Sequence, residues 1–199
     1  MYIPPHFRNE NISELLAFMK SHPFGIIASN GKNSPVITHL PFVISEERNQ
    51  IWLTTHLAAG NPHATLLKEG NEALVIFSGP HGYVSPALYE KRENVPTWNY
   101  IAVHATGMIH PLESNEKKSA VLMQMVDTFD PAYRSQWDSL DPQYVAAMMN
   151  GIYAFRIAVS KLEGKFKLSQ NKTRTEQERI AHEFSGSELA EWMNFKRSK

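Results

Sequence analysis

In the segment IYAFRIAVSKLEGKFKL, residues 152–168, apolar side chains recur at every second position over 155–159 and again over 162–168, with Gly164 among them. Successive side chains of a strand point to opposite faces, so this period of two predicts a long strand. Shorter β-like segments precede it, and NGKN (30–33) between the first two is typical of a hairpin turn. These segments are FGIIAS (24–29), PVITHLPFVIS (35–45), QIWLTTHL (50–57), EALVIFSG (72–79) and the aromatic segment 97–109.

Helical segments with their own capping residues lie between and after these strands. The predicted helices are 12–21 (capped by Asn11, with Glu14), 62–69 (Asn61-Pro62), 115–129 (Ser114), one opened by Asp141-Pro142 and closed by Gly151, and the tail 173–195 (Thr175 with Glu178). Antiparallel strands with inserted helices predict an α+β domain built on a small barrel.

The composition is that of an ordinary globular protein. The chain has 199 residues, 42% of them hydrophobic, which fits one domain over 1–199 with a helical tail from about 173. Lys+Arg and Asp+Glu both total 20, so no surplus of cations indicates a general nucleic-acid binder. The absence of cysteine excludes disulfides and Cys-ligated zinc. We find no signal-peptide pattern and no apolar run of membrane length, so we expect a cytoplasmic protein without a membrane partner.

Nucleotide-binding and metal-binding motifs are not found in the sequence. The ten glycines form neither GxGxxG nor GxxxxGKS/T, and we predict that the cluster Gly79-Pro80-His81-Gly82 is a turn. HExxH is not found either, and the spacing of the histidines is more typical of strand ends than of metal ligands. We therefore expect neither a Rossmann or P-loop site nor a metal centre.

Two stretches at strand ends each allow two interpretations. In THLAAGNPH (55–63), the helix predicted to start at Asn61 could hold a phosphate on its free N–H groups, or it could simply be well capped. In KFKLSQNK (165–172), the lysines could protect an edge strand, or the polar residues could form a clamp for an anionic ligand.

The aromatic segment VPTWNYIAVHATG also allows two interpretations. Trp98 and Tyr100 share one strand face, whereas Asn99 and Ile101 share the other. The segment could be a core strand whose aromatic side chains put their polar ends at the rim, or the wall of a site for a flat, partly polar ligand.

Taken together and in this order, the segments resemble the PaiB-type family of FMN-binding negative transcriptional regulators. The matching stretches cover nearly the whole chain: MYIPPHF (1–7), HPFGIIAS (22–29), THLPF (38–42), HLAAGNPH (56–63), FSGPHGYVSPALY (77–89), VPTWNY with AVHATG, and KLSQNK (167–172).

The resemblance implies an FMN-binding split β-barrel, similar to the pyridoxamine-phosphate oxidases and flavin reductases, with inserted and C-terminal helices. Those proteins are homodimers that hold FMN in clefts between subunits, so FMN and a second copy of the chain are the implied partners. The implied contacts are His56 and Asn61 near the ribityl phosphate, Thr38 and His39 beside the isoalloxazine ring, Trp98 and Tyr100 on the cleft wall, and Lys167, Gln170 and Asn171 reaching the cofactor.

The function implied by the resemblance is negative transcriptional regulation of protease production and sporulation. The alternative is a flavin-dependent oxidoreductase with an indirect regulatory effect, because the fold family is largely enzymatic, although no residue is assigned a catalytic role. Direct contact with DNA is a third hypothesis that the net charge does not support. The basic clusters KTRTEQER (172–179) and KRSK (196–199) fit a solvated helix face at least as well.

Overall fold

The computed structural model describes residues 1–197, so Ser198 and Lys199 of the KRSK terminus lie outside the described residues. The strands are β1 (Arg8–Asn9), β2 (Phe24–Asn30), β3 (Pro35–Pro41), β4 (Val43–Glu47), β5 (Gln50–Ala58), β6 (Glu72–Val84), β7 (Thr97–Pro111) and β8 (Ile152–Lys167). The helices are α1 (Ile12–Ser21), α2 (Asn115–Phe129), α3 (Arg134–Asp138), α4 (Pro142–Asn150), α5 (Arg174–Glu183) and α6 (Glu188–Arg197). This combination confirms the predicted α+β class.

The chain divides into two compact units, each built from several chain segments. The first unit contains residues 1–18, 78–103 and those from 163 onward, and the second contains 19–77 and 104–162. The prediction of one domain over 1–199 stays a prediction.

The second unit is built on antiparallel strand pairs. Its strand order is β3-β2-β6-β7-β8-β5-β4, in which β6, β7 and β8 contribute the parts that belong to this unit. The predicted hairpin is confirmed, since β2 and β3 pair from Phe24–Pro41 to Asn30–Pro35 around the NGKN turn. Helix α2 packs on the sheet through Val121 and Met125, which form a buried cluster with Val43 and Ala154.

The first unit has a short strand pair and an aromatic core. β1 pairs with β8, where Asn9 lies opposite Gly164. Phe18 and Phe166 are fully buried, and their ring centroids lie 5.8 and 5.5 Å from the Trp192 ring of α6. Helix α6 is therefore anchored to this unit by aromatic packing.

Most predicted elements are confirmed, but the helix predicted over 62–69 is wrong. Only Pro62–Thr65 is helical, as a single 3-10 turn. The N–H of Leu66 bonds to the carbonyl of His63 and that of Leu67 to Ala64, so the segment makes only i→i+3 bonds and no α-helical turn follows.

The predicted turn at residues 79–82 is also wrong, because these residues continue strand β6. The glycines are needed for close packing instead. A Cβ at Gly79 would lie 2.5 Å from the Phe18 ring, and one at Gly82 would lie 2.5 Å from the Phe184 ring. The strand therefore requires glycine where aromatic side chains approach its backbone.

Two further predictions need correction. The segment 35–45 is divided into β3 and β4 at Phe42, whose N–H bonds to the carbonyl of Pro23 instead of continuing the strand. The tail forms two helices, joined through Gly186 at φ +79°. The capping box uses Thr173 and Glu176, where the N–H of Glu176 donates to Thr173 Oγ1 at 3.2 Å.

Candidate functional site

Four of the predicted site residues, Thr38, His39, His56 and Asn61, lie in the second unit. Asn61 caps the 3-10 turn, since its Oδ1 accepts the N–H of His63 at 2.9 Å. Its Nδ2 has no hydrogen-bond partner among the described residues. A single turn aligns too few peptide groups to give a sizeable helix dipole. The side-chain amide of Asn61 is therefore the group at this turn that can donate a hydrogen bond to an anion.

Thr38 is joined to a histidine that the sequence analysis did not assign to a site. Thr38 Oγ1 lies 2.7 Å from Nδ1 of His63, which is fully buried. The other ring nitrogen, Nε2, is buried and has no partner within residues 1–197. Burial lowers the pKa of His63, so the ring is neutral at pH 7. A buried ring nitrogen without a partner is available to form a hydrogen bond with a bound group, as donor or acceptor according to the tautomer.

His56 and His39 differ in their surroundings. His56 on β5 is half-buried with Nδ1 3.2 Å from Sδ of Met125, and burial lowers its pKa. It is therefore neutral at pH 7 and offers a hydrogen bond but no charge to a phosphate. His39 on β3 is exposed, and its ring stacks on Phe24 with centroids 6.3 Å apart.

The other five predicted residues lie in the first unit, where Trp98 is on an open aromatic surface. Burial along β7 alternates, so Asn99 and Ile101 point inward, and Trp98 is 53% exposed. Its ring contacts His81 and Tyr83 of β6, with centroids 6.1 and 5.9 Å away. Trp98 therefore lies on the outward face of β7, whereas the opposite face of this strand is part of the core. Tyr100, two residues further on, has the ammonium of Lys165 5.2 Å from its ring.

Lys167 lines a cavity of about 200 Å³ in the first unit, together with Asn171. Lys167 Nζ donates to the carbonyl of Trp98 at 2.7 Å and to Thr97 Oγ1. Burial, and after it the charge of Lys165, lowers the pKa of Lys167. An anion in the cavity would relieve both effects.

Gln170 is engaged in its own turn. Its Nε2 donates to the carbonyl of Phe166 at 2.5 Å, and its Oε1 accepts the N–H of Leu168 at 2.8 Å. Both ends of the amide are therefore hydrogen-bonded to the backbone at the end of β8. The side chain would have to break one of these hydrogen bonds to contact a ligand.

Asn94 and Tyr89 of this cavity were given no role in the sequence analysis, and Lys172 entered it only as part of the possible anion clamp at 165–172. Lys172 Nζ donates to Asn94 Oδ1 at 2.7 Å and lies 3.8 Å from the Tyr89 ring centroid. Tyr89 is buried, and its hydroxyl has no partner in the part of the chain that the structure describes. Lys172 is part of the KLSQNK motif, but the local sequence gives no sign that it contacts Asn94 and Tyr89, which lie about eighty positions earlier.

Two other properties bear on the chemistry of the site. Within residues 1–197, no three histidine, aspartate or glutamate side chains are grouped as metal ligands. None of the helices in this range is long and apolar enough to cross a membrane.

The residues present suit the chemistry of FMN, which has a flat ring system and a phosphate. Trp98 offers an exposed aromatic surface for the ring. The amide of Asn61 and the buried, unpartnered Nε2 of His63 are polar groups available in the second unit, and Lys167 supplies a cation in the first. Within the first unit alone, the aromatic surface and the cation fit a ligand with an aromatic part and an anionic part.

Comparison with known proteins agrees with this chemistry. Residues 1–161 match the model of a family described as "Putative FMN-binding domain". The chain is 33% identical over 190 residues to "Protease synthase and sporulation protein PAI 2" of Bacillus subtilis, covering 94% of this chain and 91% of that protein. It is also 30% identical to an uncharacterized protein of Emericella nidulans, covering 85% of this chain and 84% of that one.

Two solved structures with a similar fold are of proteins described as flavin-containing. An FAD- and heme-binding protein of Mycobacterium smegmatis superposes with a TM-score of 0.65 at 18% identity, covering 88% of this chain and 79% of its own. The flavocytochrome Anf3 of Azotobacter vinelandii superposes with a TM-score of 0.63 at 15% identity, covering 83% and 72%. The predicted split-barrel fold is confirmed. The chain belongs to the FMN-binding domain family, its fold is the flavin-binding split β-barrel, and FMN is the cofactor of that family.

Proposed function

We propose that this protein is an FMN-binding homodimer that acts as a negative regulator of protease production and sporulation. The observation that carries the flavin part is the open aromatic surface around Trp98, in a chain that belongs to an FMN-binding family. The regulatory part is supported by the similarity to PAI 2 of Bacillus subtilis, which extends over nearly the whole of both chains.

For the cofactor, we propose that the predicted residues divide between its two ends. Trp98 and Tyr100 contact the isoalloxazine ring, and the Thr38–His39 segment lies beside it. Asn61 and His56 bind the phosphate end. Lys167 and Asn171 reach the cofactor from the end of β8, whereas Gln170 shapes that strand end through its bonds to Phe166 and Leu168.

This division is tested by titrating FMN and riboflavin against two variants. Trp98→Ala should weaken both flavins to the same extent, because it removes contact area with the ring. Asn61→Ser should keep a capping oxygen for His63 but lose the amide donor, so it should weaken FMN about ten- to a hundredfold and leave riboflavin unchanged.

Trp137→Ala serves as the matched control for Trp98, because Trp137 of α3 is outside the proposed site. Equal loss of both flavins in both variants would show that the division is wrong. If the unmodified protein binds neither flavin, the cofactor proposal is wrong while the fold is unaffected.

For the homodimer, the support is exposed apolar surface in each unit. Tyr83 and Trp98 are exposed and in contact in the first unit, with ring centroids 5.9 Å apart, and Phe24 and Ile37 are exposed in the second. Contiguous exposed apolar surface often marks an interface. Sedimentation equilibrium at micromolar concentration should give twice the mass of the chain, and a monomer would contradict the proposal.

For regulation, the proposal does not require direct DNA contact. Two basic side chains of the tail are paired with acids within the first unit: Arg174 lies 3.1 Å from Glu178, and Lys196 bonds to Glu14. We expect DNA binding to be weak and strongly dependent on salt.

The regulatory role is tested by complementation. A Bacillus subtilis strain lacking PAI 2 should show lower secreted protease activity when it expresses this chain than when it carries an empty vector. Expression of Trp98→Ala should restore less repression if flavin binding is needed. Unchanged protease activity with the unmodified chain, at matched expression, would contradict the regulatory role.

A further inference from the structure

The cavity in the first unit contains two cations and no acidic side chain. Lys167 and Lys172 both line it, and the other lining residues are aromatic, aliphatic, amide or hydroxyl side chains. Glu176 does not line the cavity. Its pKa is lowered chiefly by the backbone N–H of Glu90 and to a lesser extent by the charge of Lys172. Its two carboxylate oxygens accept the N–H groups of Glu90 and Thr173 at 3.0 and 3.2 Å.

The walls of the cavity combine apolar surface with an unused polar group. Phe7, Val95 and Tyr89 supply the apolar surface. The Tyr89 hydroxyl is buried without a hydrogen-bond partner among the described residues, which is unfavourable unless a bound group supplies one. A ligand with an anionic group and a small apolar body would pair its charge with lysine, accept a hydrogen bond from the hydroxyl, and pack against the apolar walls.

The cavity is too small to enclose a whole flavin. Its volume is about 200 Å³, whereas sites for drug-sized ligands measure about 300–1,000 Å³. The floor is fixed, because Asn99 and Ser169 are buried and hydrogen-bonded to each other, and Ser169 is held at φ +65°. A small molecule is therefore the ligand that the space admits.

We propose that this cavity binds the carboxylate or phosphate group of a small organic anion, separately from FMN. Lys172 is the cationic contact, and the Tyr89 hydroxyl donates a hydrogen bond to the anion. Lys167 and Asn171 also line the cavity but are proposed contacts of FMN, so the inference is tested on Lys172 and Tyr89, which are not.

The experiment is calorimetric titration of the full chain saturated with FMN, at constant ionic strength. The probes are benzoate and phenyl phosphate, with benzyl alcohol as a neutral molecule of similar shape. At least one anion should bind and benzyl alcohol should not, and the better of the two anions identifies the preferred group. Binding of neither anion, or equal binding of benzyl alcohol, would overturn the proposal.

Variants locate the binding. Lys172→Met should weaken the anion about tenfold or more, because a charge-assisted hydrogen bond is lost, and Tyr89→Phe should weaken it while preserving the ring. Lys172→Arg should retain most of the affinity, which separates loss of charge from loss of folding. Lys32→Met, in the exposed turn between β2 and β3, is the charge-matched control and should change nothing.

Flavin titrations on the same proteins separate this inference from the proposed function. FMN and riboflavin affinities should be unchanged in Lys172→Met. If Lys172→Met weakens FMN but not riboflavin, the cavity serves the flavin phosphate and the proposed separate site is wrong. If FMN does not bind the unmodified protein, the anion titration repeated without FMN still shows whether the cavity binds a small organic anion.

Discussion

Asn99 and Ser169 exchange two hydrogen bonds inside the first unit, seventy residues apart in sequence. Asn99 Nδ2 donates to Ser169 Oγ at 2.9 Å, and the Ser169 hydroxyl donates to Asn99 Oδ1 at 3.1 Å. Both side chains are buried, and Ser169 has a left-handed backbone conformation with φ +65°. This pair joins β7 to the turn that follows β8, and the same turn leads to Lys172.

A double-mutant cycle should detect this pair as a coupled unit. Asn99→Ala and Ser169→Ala should each lower the free energy of unfolding by about 1–3 kcal/mol, because each leaves a buried polar partner unsatisfied. The double variant should lose less than the sum, with a coupling of about 1 kcal/mol, in urea unfolding. Strictly additive losses would mean that the two bonds do not stabilise each other.

Gly107 should not tolerate a side chain. A Cβ there would lie 2.2 Å from the carbonyl oxygen of Ala158 on β8, which is backbone and cannot rotate away. Gly107→Ala should therefore lower the free energy of unfolding by about 1–3 kcal/mol or more. Gly60→Ala is the control, since a Cβ at Gly60 meets nothing within 4 Å. Similar unfolding midpoints for the two variants would contradict the close approach of the strands.

His63 should make stability depend on pH. Burial lowers its pKa from 6.5, so below about pH 6.5 the unfolded chain binds a proton that the folded chain resists. The contribution of His63 to stability should therefore be constant above this pH. Below it, the free energy of unfolding should fall as the pH decreases, until the pKa of the folded state is reached. The slope from this one group is at most about 1.4 kcal/mol per pH unit.

Urea unfolding between pH 5 and 8 measures this effect. His63→Gln should flatten the dependence, and adding His56→Gln should flatten it further, because burial lowers the pKa of His56 in the same direction. The exposed His6 provides the control as His6→Gln. The same slope in His63→Gln as in the unmodified protein would show that this ring does not resist protonation in the fold.

Trp192 should carry much of the attachment of α6. Its ring packs against Phe18, Phe166 and Phe195, and its Nε1 donates to Glu188 at 3.1 Å. Trp192→Ala should cost about 1.5–3 kcal/mol of stability through lost apolar burial. Trp192→Phe should recover most of the loss, because it retains an aromatic ring. Hydrogen exchange at α6 gives the local readout, and unchanged protection in Trp192→Ala would contradict the anchoring.

Local elements were predictable because their causes lie within a few residues. The long strand predicted over 152–168, the hairpin turn at NGKN, and the caps at Asn11, Ser114 and Asp141 depend on neighbours in the chain, and the structure has each of them. The combination of motifs along the chain also identified the family and the fold. The sequence by itself determined these features.

The tertiary structure decided the rest, because distant contacts override local propensity. Residues 79–82 have turn composition, yet they form a strand because the rings of Phe18 and Phe184 require glycine beside them. The cation–aromatic contact between Tyr89 and Lys172 is decided in the same way, since these side chains meet only when the chain folds back. Composition indicated zero net charge for the whole chain, but only folding puts two lysines together in a cavity without an acid.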